Sequence, residues 1–95
     1  MISFTVRMEF EAKDREAVAE MLRHLGPASR MELGCVNYIA HFVDGEAATV
    51  LIYEQYVDEA ALEFHRNSPH FGEYATGGLY KIVRSRILEL LEVIA

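Results

Sequence analysis

The chain has 95 residues, a hydrophobic share of 52%, a formal charge of −6 and a single cysteine, Cys35. A chain of this length has room for one domain (residues 1–95) and one core, and its acidic balance repels phosphate, which argues against nucleic acid and anionic membranes as partners. One cysteine excludes an internal disulfide and fits a reducing, cytoplasmic setting, the N-terminal stretch does not read as a signal peptide, and no run approaches the ~18 apolar residues of a membrane span.

Ile2, Phe4, Val6, Met8 and Phe10 alternate with Ser3, Thr5, Arg7 and Glu9, which predicts a strand with one buried face. Asp14 then offers an N-cap, and Val18, Met21, Leu22 and Leu25 follow at helical spacing, predicting a helix from Asp14 to Met31. Pro27 inside that helix removes a hydrogen bond and crowds the carbonyl of Arg23, so a kink or break is expected there. Gly34 ends the segment as a C-cap would. Cys35 to Val43 reads as a second strand, Asp44 to Glu46 as a turn, and Ala48 to Val57 as a third strand. The third strand is apolar on both faces for most of its length, the pattern of a central strand covered on both sides. Asp58 caps a short helix. Ser68-Pro69 starts another, with Ser68 as N-cap, and Gly77-Gly78 should stop it. The segment from Arg86 to Ala95 reads as a strand in preference to a helix.

The order strand, helix, strand, strand, helix, strand predicts an α+β fold, the ferredoxin-like βαββαβ sandwich, with a four-stranded antiparallel sheet and helices on one face. The other face of a doubly apolar central strand needs a cover. A second copy of the sheet is the simplest one, so a homodimer is expected.

Period two puts Asn37, Ile39 and His41 on one face of the second strand, together with Cys35 and Val43, and Ile52, Glu54 and Tyr56 on one face of the third. In a suitable hairpin register the two sets would share a face. His65 follows Leu62 and Ala61 by three and four residues, on the apolar stripe of its helix. Ordinary packing also accommodates each of these: hydrogen-bonded structural histidines, and sheet aromatics at Tyr53 and Tyr56. Glu54 is harder to set aside, because a carboxylate in a central strand needs a partner, and Arg7, Arg84 or Arg86 would serve. No metal site is expected, since His65 and His70 are five apart with Pro69 between them and no cysteine cluster exists. The absence of a GxGxxG or P-loop pattern gives a nucleotide cofactor no support. Cys35 reads as a small buried hydrophobe, and His70 as a support for its turn, with Phe71, Tyr74 and Ala75 facing inward.

Two stretches carry a resemblance. "ELGCVNY", Glu32 to Tyr38, is similar to the Glu-Pro-Gly-Cys-x-x-Tyr signature of antibiotic biosynthesis monooxygenase domains, which include the quinol monooxygenases. "LIYEQYVDEAALEFHRNSPHF" resembles their Tyr-Glu-x-Trp, Ala-Leu-x-x-His and Ser-Pro-His-Phe run, and the similarity extends over nearly the whole chain. The resemblance implies a ferredoxin-like fold, a homodimer whose sheets pack into a barrel, and an apolar pocket between sheet and helices. For some members it implies oxidation of a phenol or hydroquinone by O₂ without metal or flavin. By position, His41 matches a strand histidine of the pocket, Tyr56 takes the place of a pocket tryptophan, and His65 matches the histidine of the short helix. Ile52 stands where one branch has a substrate-binding asparagine, and Leu33 replaces the usual proline. Ser3, Thr5 and Arg7 occupy the strand where the haem-degrading branch has an asparagine, which speaks against haem oxidation.

The resulting expectation is a cofactor-independent monooxygenase acting on a small quinol or polyphenol, with His65 and His41 catalytic and Asn37, Ile52, Glu54, Tyr56 and Phe71 binding substrate. The alternatives are a non-catalytic small-molecule-binding or regulatory dimer, and an isomerase on the same scaffold.

Overall fold

A computed structural model describes all 95 residues. Strands β1 (Ile2–Glu9), β2 (Cys35–Phe42), β3 (Thr49–Tyr56) and β4 (Ser85–Leu91) form one antiparallel sheet in the order β2-β3-β1-β4. Helices α1 (Arg15–Arg30) and α2 (Glu59–Arg66) pack on one face. So does a π-helical segment, Phe71–Leu79, which runs into a last turn, α3 (Tyr80–Ile82). This is the expected ferredoxin-like α+β arrangement, with β3 in the interior of the sheet. No helix is long and apolar enough to cross a membrane.

Alternation does what period two dictates. Phe4, Val6 and Met8 of β1, Val50, Ile52 and Tyr56 of β3 and Tyr38 of β2 point to the helices. There they bury Val18 and Leu25 of α1, Leu62 of α2, and Ala75 and Leu79 of the π-helical segment. Full burial of each large aliphatic side chain is worth about 1.5–3 kcal/mol, so this layer holds the sandwich together.

Five local expectations need correction. Gly34 does not cap α1, which ends at Arg30 with Met31 as its C-cap. Asp14 stands at the head of α1 without a capping hydrogen bond from its side chain, and a 3₁₀ turn, Ala12–Asp14, precedes the helix. Helix α1 runs through Pro27 unbroken. The preceding residue is Gly26, which has no Cβ to collide with the proline ring, and Pro27 lies in the last turns, where one lost bond costs least. Gly77 and Gly78 do not stop a helix; they lie inside the π-helical segment. A Cβ at Gly77 would sit 2.5 Å from the carbonyl oxygen of Gly72, and one at Gly78 would sit 2.7 Å from Met21 Sδ, so glycine here permits the wide turn and its close approach to α1. Finally, the two sets of strand residues do not share a face. Tyr38 pairs with Glu54 and Ile39 with Tyr53, so Asn37, Ile39 and His41 point to the outer, helix-free face while Ile52, Glu54 and Tyr56 point inward. A bulge between Cys35 and Asn37 also separates those two, leaving Cys35 packed against the core.

Candidate functional site

Helix α2 starts where Asp58 accepts a hydrogen bond from the Ala61 amide at 2.8 Å. Two turns later the same face delivers His65 to the sheet, where it is 2% exposed. Its ring lies among Tyr38, Tyr56 and Phe71, with centroid distances of 5.8, 5.1 and 5.2 Å. Ser68 then donates to the His65 carbonyl at 2.7 Å and accepts from the Phe71 amide at 3.2 Å. Ser68-Pro69 thereby ends one helix, starts the next, and swings His70 back toward His65, with ring centroids 6.1 Å apart.

The polar partners come from elsewhere in the chain. Glu32, in the loop after α1, is 8% exposed and places Oε2 at 2.9 Å from His65 Nδ1 and 2.5 Å from His70 Nε2. Its other oxygen, Oε1, is buried with no hydrogen-bond partner. On the opposite side of the ring, His65 Nε2 faces Glu54 Oε1 at 3.6 Å, and the Tyr56 hydroxyl donates to that oxygen at 2.7 Å. An arginine partner for Glu54 is therefore not what the structure shows: the nearest groups are a phenol and an imidazole, and Arg7 points to the other face of the sheet.

Burial sets the proton affinities. Desolvation raises the Glu54 carboxyl from its ordinary 4.5 to about 7, opposed by the Tyr56 hydrogen bond and the Arg66 charge. Desolvation also lowers the His65 imidazole below 6.5, against the pull of Glu32, so the ring is neutral at pH 7. The Tyr38 and Tyr56 hydroxyls are held well above their usual range by burial and by Glu54. Burial, then Glu32, pushes the Cys35 thiol up to about 11, consistent with a packed, unreactive side chain.

Two small cavities adjoin these groups between sheet and helices. One of about 20 Å³ is lined by Tyr38, Ile52, Glu54, His65, Phe71 and Tyr80. The other, of about 100 Å³, is lined by Phe4, Glu54, Arg66, Phe71, Tyr80 and Arg86. Glu54, Phe71 and Tyr80 are walls of both. Neither cavity approaches the ~150 Å³ that holds a benzene-sized guest, so a ring enters only if Phe71 or Tyr80 moves.

The structure thus gathers His65, Ile52, Glu54, Tyr56 and Phe71 into one site. It does not bring Asn37 or His41 there. Asn37 donates to Gln55 at 3.0 Å, and His41 is exposed, with Nδ1 3.1 Å from the Leu51 carbonyl. Glu32 and His70 are the additions that side-chain spacing did not supply. Their only sequence trace is their place in the Glu32–Tyr38 and Ser68–Phe71 motifs. Glu32, His65 and His70 each offer one ligand atom within 4.8 Å of the others, a set that could hold a metal ion. Both imidazoles already converge on one carboxyl oxygen, and a cation would have to break both of those hydrogen bonds.

A sheet-and-helix sandwich with a buried carboxyl–imidazole chain beneath the sheet is a small ferredoxin-like domain with a polar cluster in its core. The chain belongs to the antibiotic biosynthesis monooxygenase family, whose model matches residues 1–77. No curated protein matches the sequence. Among solved structures, PA3566 from Pseudomonas aeruginosa is 28% identical, with a TM-score of 0.90 over 99% of this chain and 94% of that one. A crystal structure of an antibiotic biosynthesis monooxygenase superposes with a TM-score of 0.91 at 19% identity, over the full length of both chains. Rv0793 from Mycobacterium tuberculosis gives 0.87 at 22% identity, over 99% of this chain and 95% of that one. The last two establish likeness of fold.

Proposed function

We propose that this protein is a cofactor-independent monooxygenase that oxidises a small quinol or polyphenol with O₂, working as a homodimer in a reducing compartment. The observation that carries the reading is the Glu54–His65 pair at the inner cavity: a neutral imidazole and a carboxyl near 7, both buried. A phenol has a pKa near 10 and yields little phenolate at pH 7, so it needs a base, and a positioned base is worth about 10²–10⁴ in rate. The phenolate is electron-rich and can itself reduce O₂. In the balanced reaction a dihydroxybenzene and O₂ give a hydroxyquinone and water: one oxygen atom enters the ring, the other leaves as water, and all four electrons come from the substrate. The protein's part is to take the hydroxyl proton at His65 Nε2, hold the ring among Ile52, Phe71 and Tyr80, and exclude water. Tyr56 orients Glu54 through its hydroxyl.

The dimer rests on the outer sheet face. Ile39, Ile87 and Leu91 there are 45%, 60% and 41% exposed, an apolar surface that a second sheet would cover. Light scattering at micromolar concentration should give twice the 10.8 kDa chain mass.

The activity test is O₂ uptake with a panel of hydroquinones, in chelator and without added flavin. Uptake abolished by His65→Gln and Glu54→Gln in folded protein supports the reading. Tight ligand binding with no uptake turns it toward a binding or regulatory dimer, and isomerised product without O₂ consumption toward an isomerase.

A further inference from the structure

The inner cavity is connected to the outside by a row of titratable groups. His65 and Glu54 are walls of the inner cavity. Glu32 and His70 are walls of a different space, an apolar groove of about 530 Å³ on the far side of α2, formed with Ala28, Met31, Leu33 and Phe64. From groove to cavity the chain runs His70 Nε2 to Glu32 Oε2 at 2.5 Å, Glu32 Oε2 to His65 Nδ1 at 2.9 Å, and His65 Nε2 to Glu54 Oε1 at 3.6 Å. No apolar group interrupts it. Side-chain exposure rises outward, from 2% at His65 to 4% at Glu32 and 19% at His70. A carboxyl placed only to brace the loop would be expected to satisfy both oxygens. Here one oxygen lies against both histidines and the other has no partner.

We propose that Glu32 and His70 form the proton exit of the inner site, carrying to the groove the proton that His65 takes from the substrate. The inference rests on the base role proposed for His65. The transfer balances without electrons. His65 gains a proton on Nε2 and gives up the one on Nδ1 to Glu32 Oε2. Glu32 passes a proton to the bare Nε2 of His70 in its Nδ1–H tautomer, and His70 releases that Nδ1 proton to water in the groove. Such a route answers a need created by burial: the reaction nets no proton, so one that leaves along the chain returns along it when water forms, and the relay keeps His65 in exchange with solvent while the cavity stays closed. Glu32 and His70 are accordingly positioning residues that act through His65.

The test uses the full-length protein and two variants, His70→Gln and Glu32→Gln, with folding checked by circular dichroism. The first readout, by NMR, is the exchange of the His65 Nδ1 proton with solvent. The second is turnover of a hydroquinone as free imidazole is added. Both variants should slow the exchange, and His70→Gln should lower kcat, by about 10²-fold where the transfer limits the rate, with KM little changed. Added imidazole should restore the exchange and kcat of His70→Gln, because a diffusible base can stand in the groove where the side chain was. Exchange unchanged in both variants would overturn the proposal. So would a loss that imidazole does not relieve, since a merely structural role predicts that. If the exchange behaves as expected but the native protein consumes no O₂ with any quinol, the exit stands and the monooxygenase reading falls.

Discussion

Replacing Glu54 with Gln should stabilise the fold at alkaline pH while stopping turnover. Burial holds the folded carboxyl near 7 against an ordinary value of 4.5. A raised folded value means that the folded chain keeps its proton where the unfolded chain has already lost it. Stability from this group is therefore fully present below about 4.5, falls as pH rises through the window up to 7, and is gone above it. At about 1.36 kcal/mol per unit, that shift costs the folded state roughly 3 kcal/mol at pH 8. Gln cannot ionise, and its carbonyl can still accept the Tyr56 hydroxyl, so the variant should recover up to that amount, less any cost of housing its amide N–H groups. In a domain of this size 2 kcal/mol corresponds to about 8–16 °C in Tm. The assay is urea unfolding followed by circular dichroism, on both proteins, at pH 5 and pH 8. Comparing the two isolates Glu54, because every other titrating group is common to both. A stability difference that is the same at pH 5 and pH 8 would refute the reasoning.

Three further outcomes follow from single contacts. In Gly34→Ala the new methyl would lie 2.3 Å from Ala61 Cβ, so α2 must shift; a loss of about 1–3 kcal/mol is expected in denaturant unfolding, together with weaker turnover as His65 moves with its helix. Asp58→Ala removes the cap on the Ala61 amide and should cost about 1 kcal/mol, read in the same experiment. His65 has a lowered folded pKa, so its contribution is present above the unfolded value of 6.5 and is lost as pH falls through the depressed folded value. His65→Gln should therefore flatten the acid side of the Tm–pH profile, and an unchanged acid limb would count against a neutral buried ring.

The sheet, its order of elements and both main helices were legible because period two and period 3.6 are written in β1, α1 and α2. The caps at Asp58 and Ser68 were legible for the same local reason. What stayed hidden depends on register. The face of Asn37 and His41 follows from the hairpin offset that sets Tyr38 opposite Glu54, which neither strand announces, and Val36, an ordinary strand residue by type, gives no sign of the bulge that turns Cys35 inward. The π-helical segment was hidden because Gly77-Gly78 looks like a stop; only the close approach of Gly72 and Met21 shows why glycine is there. Within the site, His65 could be read from its helix stripe and Glu54 from the cost of a carboxylate in a central strand. Glu32 could not be found by spacing, since it meets His65 across 33 residues of sequence.

The bulge at Val36 has a consequence for how this family of shapes can vary. A strand keeps only two phases, in and out, and one extra residue exchanges them for everything on one side of it. Because Val36 takes up a position without pairing, Cys35 and Tyr38 both face the helices although they are three residues apart. The loop holding Glu32 hangs from Cys35 and inherits that phase. Deleting Val36 would close the bulge and leave Cys35 opposite Tyr56, still facing the helices, whereas drawing Val36 into the ladder would turn Cys35 outward and the loop with it. The side on which the acid's loop hangs is therefore set by whether Val36 joins the ladder, not by the number of residues between Cys35 and Tyr38.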